Sequence, residues 1–230
     1  CIDSYTWNLI PIDEDHCPRD IELEKVIQKY KDQTDSKYCR VVTRFADRYT
    51  HPARNQETLL GKLLADAFKD VLGVDIMFLG SGSIRDEELG PIVQYRDLLQ
   101  VFPYNDEIYR ICVTGEQLRR MVKRILRNEG DHAEYYQFSR GFRIEFNQKE
   151  QELISLSFNG YEIRDNDQYK LGLQSFHLKN IQDFLDVSLE EVTAIKRPKI
   201  ISTKSTDVLE EYFSQYELIR VSNEQRLILR

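Results

Sequence analysis

Leu79-Gly80-Ser81-Gly82-Ser83-Ile84-Arg85 is a glycine-rich turn that follows an apolar run and ends at an arginine. The run at residues 74–79 predicts a mostly buried strand. The turn lacks the third glycine of a dinucleotide fingerprint and the Gly-Lys-Ser/Thr ending of a phosphate loop. Gly80 and Gly82 instead allow a ligand or another backbone segment to approach closely. Arg85 suits a planar anion or a hydroxyl-rich group, and the alternative is a surface salt bridge to the acidic residues that follow it.

The segments on either side of this turn predict helices. Upstream, apolar residues recur at helical spacing from Leu59 to Val71, and Gly73 is placed to end the helix. Downstream, Thr114 and Gln117 have the spacing of a capping box, in which each side chain binds the backbone amide of the other residue. A helix, a buried strand and the glycine turn are therefore expected to follow one another.

Strands dominate the prediction after Gly141. Asn159-Gly160 separates two apolar runs and is the strongest short hairpin signal in the chain. Further strands are predicted at residues 169–173, 199–202, 217–221 and 226–229, with a helix at 208–213. This order predicts an α+β fold, a layered sandwich of mixed sheets and helices, rather than a doubly wound nucleotide-binding fold.

The composition is that of a folded chain of 230 residues, with 41% hydrophobic residues and a formal charge of −7. The acidic balance opposes binding to a nucleic acid polymer, which requires basic patches. No run reaches the ~20 apolar residues of a membrane span, so we expect a soluble chain. Four scattered cysteines without a C-x-x-C pair favour a cytoplasmic location, although two disulfides stay conceivable.

Metal catalysis within the chain is not expected. His16, His51, His132 and His177 show no metal-ligand spacing, and each is interpreted as a surface or hydrogen-bonded core residue. No nucleophile elbow is present for a serine. The predicted chemistry is therefore binding.

Two aromatic residues are candidates for contact with a ligand. Tyr104 lies beside Pro103 in Phe102-Pro103-Tyr104, and Phe176 lies in a second segment, Leu173 to His177. An exposed ring stacks on any nucleobase with ~1–3 kcal/mol. The alternative for each ring is a place in the core.

Together, the glycine turn ending in Ile84-Arg85, the Phe102-Pro103-Tyr104 step, the Thr114-Gly115 helix start and the Asn159-Gly160 hairpin resemble the C-terminal domain of the 5'-nucleotidase family. The resemblance extends from about Trp7 to the C-terminus. It implies three parts: residues 1–19, an extended segment from the end of a missing N-terminal domain; residues 20–36, a linker helix; and residues 37–230, the substrate-binding domain.

The resemblance also implies a division of labour. Two divalent metal ions would lie in a missing N-terminal metallophosphatase domain, and this half would hold the base and ribose of a nucleotide. Tyr104 and Phe176 would sandwich the base, while Arg54 and Arg85 would hold the ribose. The glycine turn and an acidic residue, Asp183 or the neighbouring position 182, would complete the site. The chain alone is expected to be inactive.

Two departures from the family pattern leave an alternative open. The family commonly has Asn where this chain has Gly80, and the segment after Phe176 lacks the family's glycines. The alternative is a non-catalytic binding or scaffold domain whose pocket has diverged from nucleotides, or an interface formed by exposed tyrosines.

Overall fold

The computed structural model describes residues 3–127 and 134–230, which divide into two compact units after Arg40. In the first unit, residues 3–19 form neither helix nor strand, and helix α1 spans Ile21–Tyr38. The Asp20 carboxylate accepts a hydrogen bond from the Leu23 amide at 3.0 Å. Asp20 is therefore the N-cap of this helix, which begins where the resemblance places the linker helix and continues to Tyr38.

The second unit contains several small sheets and the remaining helices. Its strands are β1 (Val41–Phe45), β2 (Tyr49–Thr50), β3 (Ile76–Gly80), β4 (Glu88–Leu89), β5 (Ile92–Gln94), β6 (Ile108–Thr114), β7 (Tyr136–Phe138), β8 (Phe142–Asn147), β9 (Glu152–Phe158), β10 (Tyr161–Glu162), β11 (Gln168–Gln174), β12 (Lys199–Ser202), β13 (Leu218–Ile219) and β14 (Leu227–Leu229). Its helices are α2 (Leu59–Leu72), α3 (Tyr95–Val101), α4 (Gly115–Arg127), α5 (Ser175–Lys179), α6 (Ile181–Leu185), α7 (Leu189–Ile195) and α8 (Ser205–Ser214).

The central sheet has five strands in the order β12-β6-β11-β3-β7. Strand β3 runs parallel to β11, and the other neighbouring pairs are antiparallel. A four-stranded sheet has the order β10-β9-β8-β14, and a three-stranded sheet has the order β13-β1-β5. These mixed sheets and their helices confirm the predicted α+β fold.

Strand β3 is buried on both faces. Its side chains alternate between two hydrophobic cores, because Ile76 and Phe78 belong to one core and Met77 and Leu79 to the other. Helices α2 and α8 contribute to the core that contains Met77, and helix α4 contributes to the other. Burial on both sides explains why the sequence of this strand is continuously apolar.

The local signals read from the sequence correspond to observed contacts. Gly73 ends α2 in the left-handed conformation with a φ of 61°. Thr114 and Gln117 form the predicted capping box, with distances of 2.9 and 3.2 Å. Asn159 and Gly160 both have positive φ at the turn between β9 and β10, as a two-residue hairpin turn requires.

None of the helices within residues 3–127 and 134–230 is long and apolar enough to cross a membrane. Cys17 and Cys112 are free thiols, so neither takes part in a disulfide. Cys1 and His132 lie outside the described residues.

Candidate functional site

Four strands of the central sheet begin or end at one edge. Strands β3 and β11 are parallel, so their last residues, Gly80 and Gln174, lie at the same edge. Strands β6 and β7 run in the opposite direction and start there, because Ile108 pairs with Gln174 and Tyr136 pairs with Gly80. Segments that are distant in sequence therefore converge at this edge.

A cavity of about 360 Å³ lies at this edge. Its lining residues are Arg54, Gly82, Ser83, Arg85, Tyr104, Asp106, Glu134, Phe176 and His177. The structure thus brings together Arg54, Gly82, Arg85, Tyr104 and Phe176 from the residues predicted by sequence. Their role in binding a nucleotide stays a prediction.

The glycine turn is fixed to the start of helix α2. Ser81–Ser83 forms one turn of 3-10 helix, and the hydroxyl of the buried Ser81 accepts a hydrogen bond from Gln137 Nε2 at 3.0 Å. The Ser81 carbonyl lies 3.2 Å from His51 Nε2, and His51 Nδ1 lies 2.8 Å from the Thr58 hydroxyl. Because Thr58 is the N-cap of α2, the turn and the helix hold each other in place. His51 is a hydrogen-bonded core residue.

The two arginines of the cavity form no ion pair within residues 3–127 and 134–230. The Arg85 guanidinium lies over the Tyr104 ring, 5.6 Å from its centre, and donates a hydrogen bond to the Gly82 carbonyl at 3.3 Å. Of the acidic residues that follow Arg85, Glu88 pairs with Arg48 at 2.7 Å. The salt bridge considered as the alternative for Arg85 is therefore not formed.

Both aromatic residues line the cavity with large exposed surfaces. Tyr104 is 44% exposed and Phe176 is 54% exposed. The Tyr104 carbonyl accepts a hydrogen bond from the Ser205 hydroxyl at 2.9 Å, which fixes the backbone of Tyr104 to helix α8. The Phe176 ring packs against Phe184 with a centroid distance of 5.8 Å. The alternative of a core position is therefore wrong for both rings.

Gly80 does not line the cavity and lies behind the residues that do. A β-carbon at this position would overlap Nε2 and Cε1 of His177, so the imidazole occupies the space that a side chain would need. His177 itself lines the cavity and is 2% exposed. The glycine at position 80 is therefore explained by the close approach of His177. The sequence places His177 beside Phe176 but carries no signal that His177 lines the cavity.

Gln174 connects three walls of the cavity. This buried side chain accepts a hydrogen bond from the Gly80 amide at 3.1 Å and donates one to the Ser83 hydroxyl at 2.9 Å. It also donates to Asp106 at 3.4 Å. The end of β11, the glycine turn and the segment before β6 are thus joined by one side chain, which has no distinctive signal in the sequence.

Asp183 is not among the cavity-lining residues. It is exposed on helix α6, where its backbone carbonyl accepts a hydrogen bond from Arg124 at 3.1 Å. The segment after Phe176 forms helices α5 and α6, and Phe184 packs against both Phe176 and His177. This helical path, in place of a glycine loop, leaves Asp183 away from the cavity.

Glu134 and Asp106 add two carboxyl groups to the cavity. Glu134 accepts a hydrogen bond from the Gly82 amide at 3.1 Å. Burial raises the pKa of Glu134, and this hydrogen bond and the charge of Arg54 act in the opposite direction. The cavity thus contains both cationic donors and acidic acceptors, a combination suited to a ligand with many polar groups.

Potential metal ligands do not cluster in the part of the chain that the structure describes. Within residues 3–127 and 134–230, His, Cys, Asp and Glu form no group of three or more that could hold a metal ion. The two divalent ions are expected in another domain, and their presence there stays a prediction.

Protonation of His177 is expected to destabilise the fold. Burial lowers the pKa of His177 from 6.5 to about 4. Between these values the unfolded chain binds a proton that the folded chain does not, so stability decreases as the pH falls through this window. We expect His177 to account for a loss of about 2 kcal/mol between pH 7 and pH 5.

Urea unfolding at both pH values tests this expectation. The parent chain should lose more stability on acidification than His177→Phe, which cannot take up this proton. Equal losses in the two proteins would contradict the assignment.

Comparison with known proteins places this site in a family context. A family model described as 5'-nucleotidase, C-terminal domain, matches residues 34–187. A 5'-nucleotidase from Vibrio parahaemolyticus is 23% identical over 172 residues, which cover 74% of this chain and 29% of that protein. These comparisons do not support the predicted cytoplasmic location.

The fold is shared with solved structures, two of which illustrate the similarity. A 5'-nucleotidase precursor from Thermus thermophilus superposes with a TM-score of 0.72 at 14% identity, covering 94% of this chain and 44% of that one. The sulfate thiohydrolase SoxB from the same organism gives a TM-score of 0.68 at 15% identity, covering 96% and 40%. The chain spans less than half the length of each of these relatives. With the family match covering more than half of its residues, the chain belongs to the 5'-nucleotidase C-terminal domain family.

Proposed function

We propose that this chain is the substrate-binding domain of a 5'-nucleotidase-like phosphohydrolase and that its cavity holds the nucleoside part of a nucleotide. The observation that carries this proposal is the placement of Tyr104 and Phe176, both about half exposed, on one cavity with two arginines. A large exposed aromatic surface beside a cavity is typical of a ligand site.

The two rings supply the free energy for holding a base. They line the same cavity. Each is held by its neighbours, Tyr104 under the Arg85 guanidinium and Phe176 against Phe184. A ring held in place loses little entropy when a base stacks on it, and such stacking contributes ~1–3 kcal/mol per base.

Arg54 and Arg85 supply donors for the polar part of the ligand. A guanidinium that forms no ion pair retains hydrogen-bond donors for hydroxyl or phosphate oxygens. Arg85 already contacts the Gly82 carbonyl and the Tyr104 ring, so its donors are held at the cavity wall. This placement suits the ribose that a stacked base would carry.

Hydrolysis is proposed to take place with a metal-bearing domain outside this chain. In that domain, two divalent ions would activate a water molecule and stabilise charge on the phosphoryl group. The matched relatives are more than twice as long as the part they share with this chain, which leaves room in them for such a domain. The isolated chain is expected to bind substrate and not to hydrolyse it.

Calorimetric titration with adenosine, AMP, UMP and a UDP-sugar tests the proposed site. Tyr104→Ala and Phe176→Ala are each expected to weaken binding by about 1–3 kcal/mol, which is about 5- to 150-fold. Tyr161→Ala is a matched control, because Tyr161 is also an exposed aromatic residue but lies on the β9–β10 hairpin.

Binding that all three variants retain would contradict the aromatic clamp. A folded parent chain that binds none of the four ligands would contradict the nucleoside site itself. Metal-dependent phosphatase activity of the isolated chain would contradict the division of labour.

The second candidate function is a non-catalytic binding domain whose cavity takes another ligand. The observation that favours it is the fold shared with a protein named as a sulfate thiohydrolase, since the fold by itself does not specify the ligand. His177 also occupies the space that a side chain at position 80 would fill, so this part of the cavity wall departs from the family pattern. A folded chain indifferent to every nucleoside would favour this function.

A further inference from the structure

We propose that His177 determines ligand specificity in this cavity, with its Nε2–H donating a hydrogen bond to an acceptor on the edge of the bound base. The inference rests on the proposed function. It concerns which base edge is accepted, whereas the aromatic rings hold any base.

The imidazole is placed by a close fit to the glycine turn. A β-carbon on Gly80 would overlap Nε2 and Cε1 and would lie 3.2 Å from Cδ2, so the ring lies directly over this glycine. Ring contacts fix it from other sides, with centroid distances of 4.9 Å to Tyr136, 5.5 Å to Phe176 and 5.9 Å to Phe184. A group held this firmly presents its hydrogen bond in one direction.

Tyr136 determines which nitrogen of His177 carries the proton. The fully buried Tyr136 hydroxyl lies 2.8 Å from Nδ1 and has no other hydrogen-bond partner in the described chain. Burial raises the pKa of Tyr136 well above 10, so the phenol keeps its proton. If Nδ1 carried a proton, the buried hydroxyl hydrogen would lack an acceptor, at a cost of ~1–3 kcal/mol. The hydroxyl therefore donates to Nδ1, and Nε2 carries the hydrogen.

This arrangement leaves Nε2–H of His177 as a hydrogen-bond donor without a partner among the described residues. Across residues 3–127 and 134–230, no group forms a hydrogen bond with Nε2, and His177 lines the cavity. Because burial keeps the imidazole neutral near pH 7, it offers a directional donor rather than a charge. A ring nitrogen or a carbonyl oxygen on a base edge satisfies such a donor, whereas a C–H group leaves it unpaired.

Adenosine and its 1-deaza, 3-deaza and 7-deaza analogues test this donor, because each analogue replaces one ring nitrogen with a C–H group. One analogue is expected to bind the parent chain about tenfold more weakly than adenosine. His177→Phe should weaken the binding of adenosine and leave the binding of that analogue nearly unchanged. The preference for adenosine then disappears. If the parent binds uridine instead, 2-thiouridine and 4-thiouridine take the place of the deaza analogues.

Gly80→Ala provides an independent variant that keeps the histidine. Its added methyl group should displace the imidazole and abolish the same preference. His16→Phe is the matched control, because His16 is an exposed histidine paired with Asp13 in the first unit. Thermal unfolding establishes that each variant is folded at the temperature of the titration.

Nitrogen-15 NMR of the parent chain tests the tautomer without any substitution. We expect the His177 signals of a neutral ring with its hydrogen on Nε2, and a ring with its hydrogen on Nδ1 would overturn the inference. Equal binding of all analogues by a chain that binds adenosine or uridine would overturn it and leave the proposed function intact. A folded parent that binds neither nucleoside would overturn both.

Discussion

Arg226→Ala is expected to destabilise the second unit by about 3–5 kcal/mol, because it breaks a buried ion pair and leaves the Asp66 carboxylate, among the described residues, with only the Arg140 amide at 2.7 Å and the Arg140 guanidinium at 3.9 Å. Arg226 is 2% exposed and donates a hydrogen bond to Asp66 at 2.6 Å. It also donates to the carbonyls of Phe138 at 2.6 Å and Lys62 at 3.3 Å. One guanidinium thus joins the segment before β14 to helix α2 and strand β7.

Urea unfolding of Arg226→Ala, measured by far-UV circular dichroism, tests this expectation. Arg48→Ala is the matched control, because Arg48 and Glu88 form an ion pair of 2.7 Å with both side chains about half exposed. Such an exposed pair contributes less than about 1 kcal/mol. In an Asp66→Ala background, Arg226→Met is expected to lower the free energy of unfolding far less than Arg226→Ala does in the parent. The Asp66 carboxylate that would lose its ion pair is absent there. Equal costs for Arg226→Ala and Arg48→Ala would contradict the role of burial.

The elements that the sequence predicts well are those whose signals are local. Helix α2 carries its own cap at Thr58 and its own stop at Gly73, and both are observed. The β9–β10 hairpin is specified by Asn159-Gly160, where two adjacent residues tolerate positive φ. These features require no information from the rest of the chain, so reasoning from a short window is sufficient.

Other elements depend on contacts that no window contains. Strand β6 lies between β12 and β11 in the central sheet, yet the adjacent Tyr109 and Arg110 are both half-buried, so its burial does not alternate regularly. It is ordered by pairing with β11 and β12. Its pairing partners lie more than fifty residues away, which is why the sequence did not identify it.

The candidate site shows the same division. The resemblance to a family placed Tyr104 and Phe176 on one site, and the strand directions explain why they share a cavity. The position of His177 in the cavity wall was not predicted, because it follows from the parallel pairing of β3 and β11, which brings the imidazole over Gly80. Asp183 was assigned by motif position, and the helical path after Phe176 leaves it outside the cavity.

The glycine turn depends on a second close approach, between Gly61 and Gln137. A β-carbon on Gly61 would overlap Oε1, Cδ and Cγ of Gln137, which is fully buried. Gln137 accepts a hydrogen bond from the Thr58 amide at 3.1 Å and donates to the Ser81 hydroxyl at 3.0 Å. The side chain that a methyl group would displace is therefore the one that joins helix α2 to the turn.

Gly61→Ala is accordingly expected to destabilise the second unit by about 3 kcal/mol, although alanine favours an isolated helix by about 1 kcal/mol over glycine. The loss arises because displacement of Gln137 leaves the buried Thr58 amide without an acceptor. In a Gln137→Ala background the overlap is gone, so the same substitution should be neutral or slightly stabilising. Urea unfolding of the four proteins in this cycle measures the coupling. A Gly61→Ala variant as stable as the parent would mean that Gln137 moves aside freely, and the turn beneath the cavity would then not depend on it.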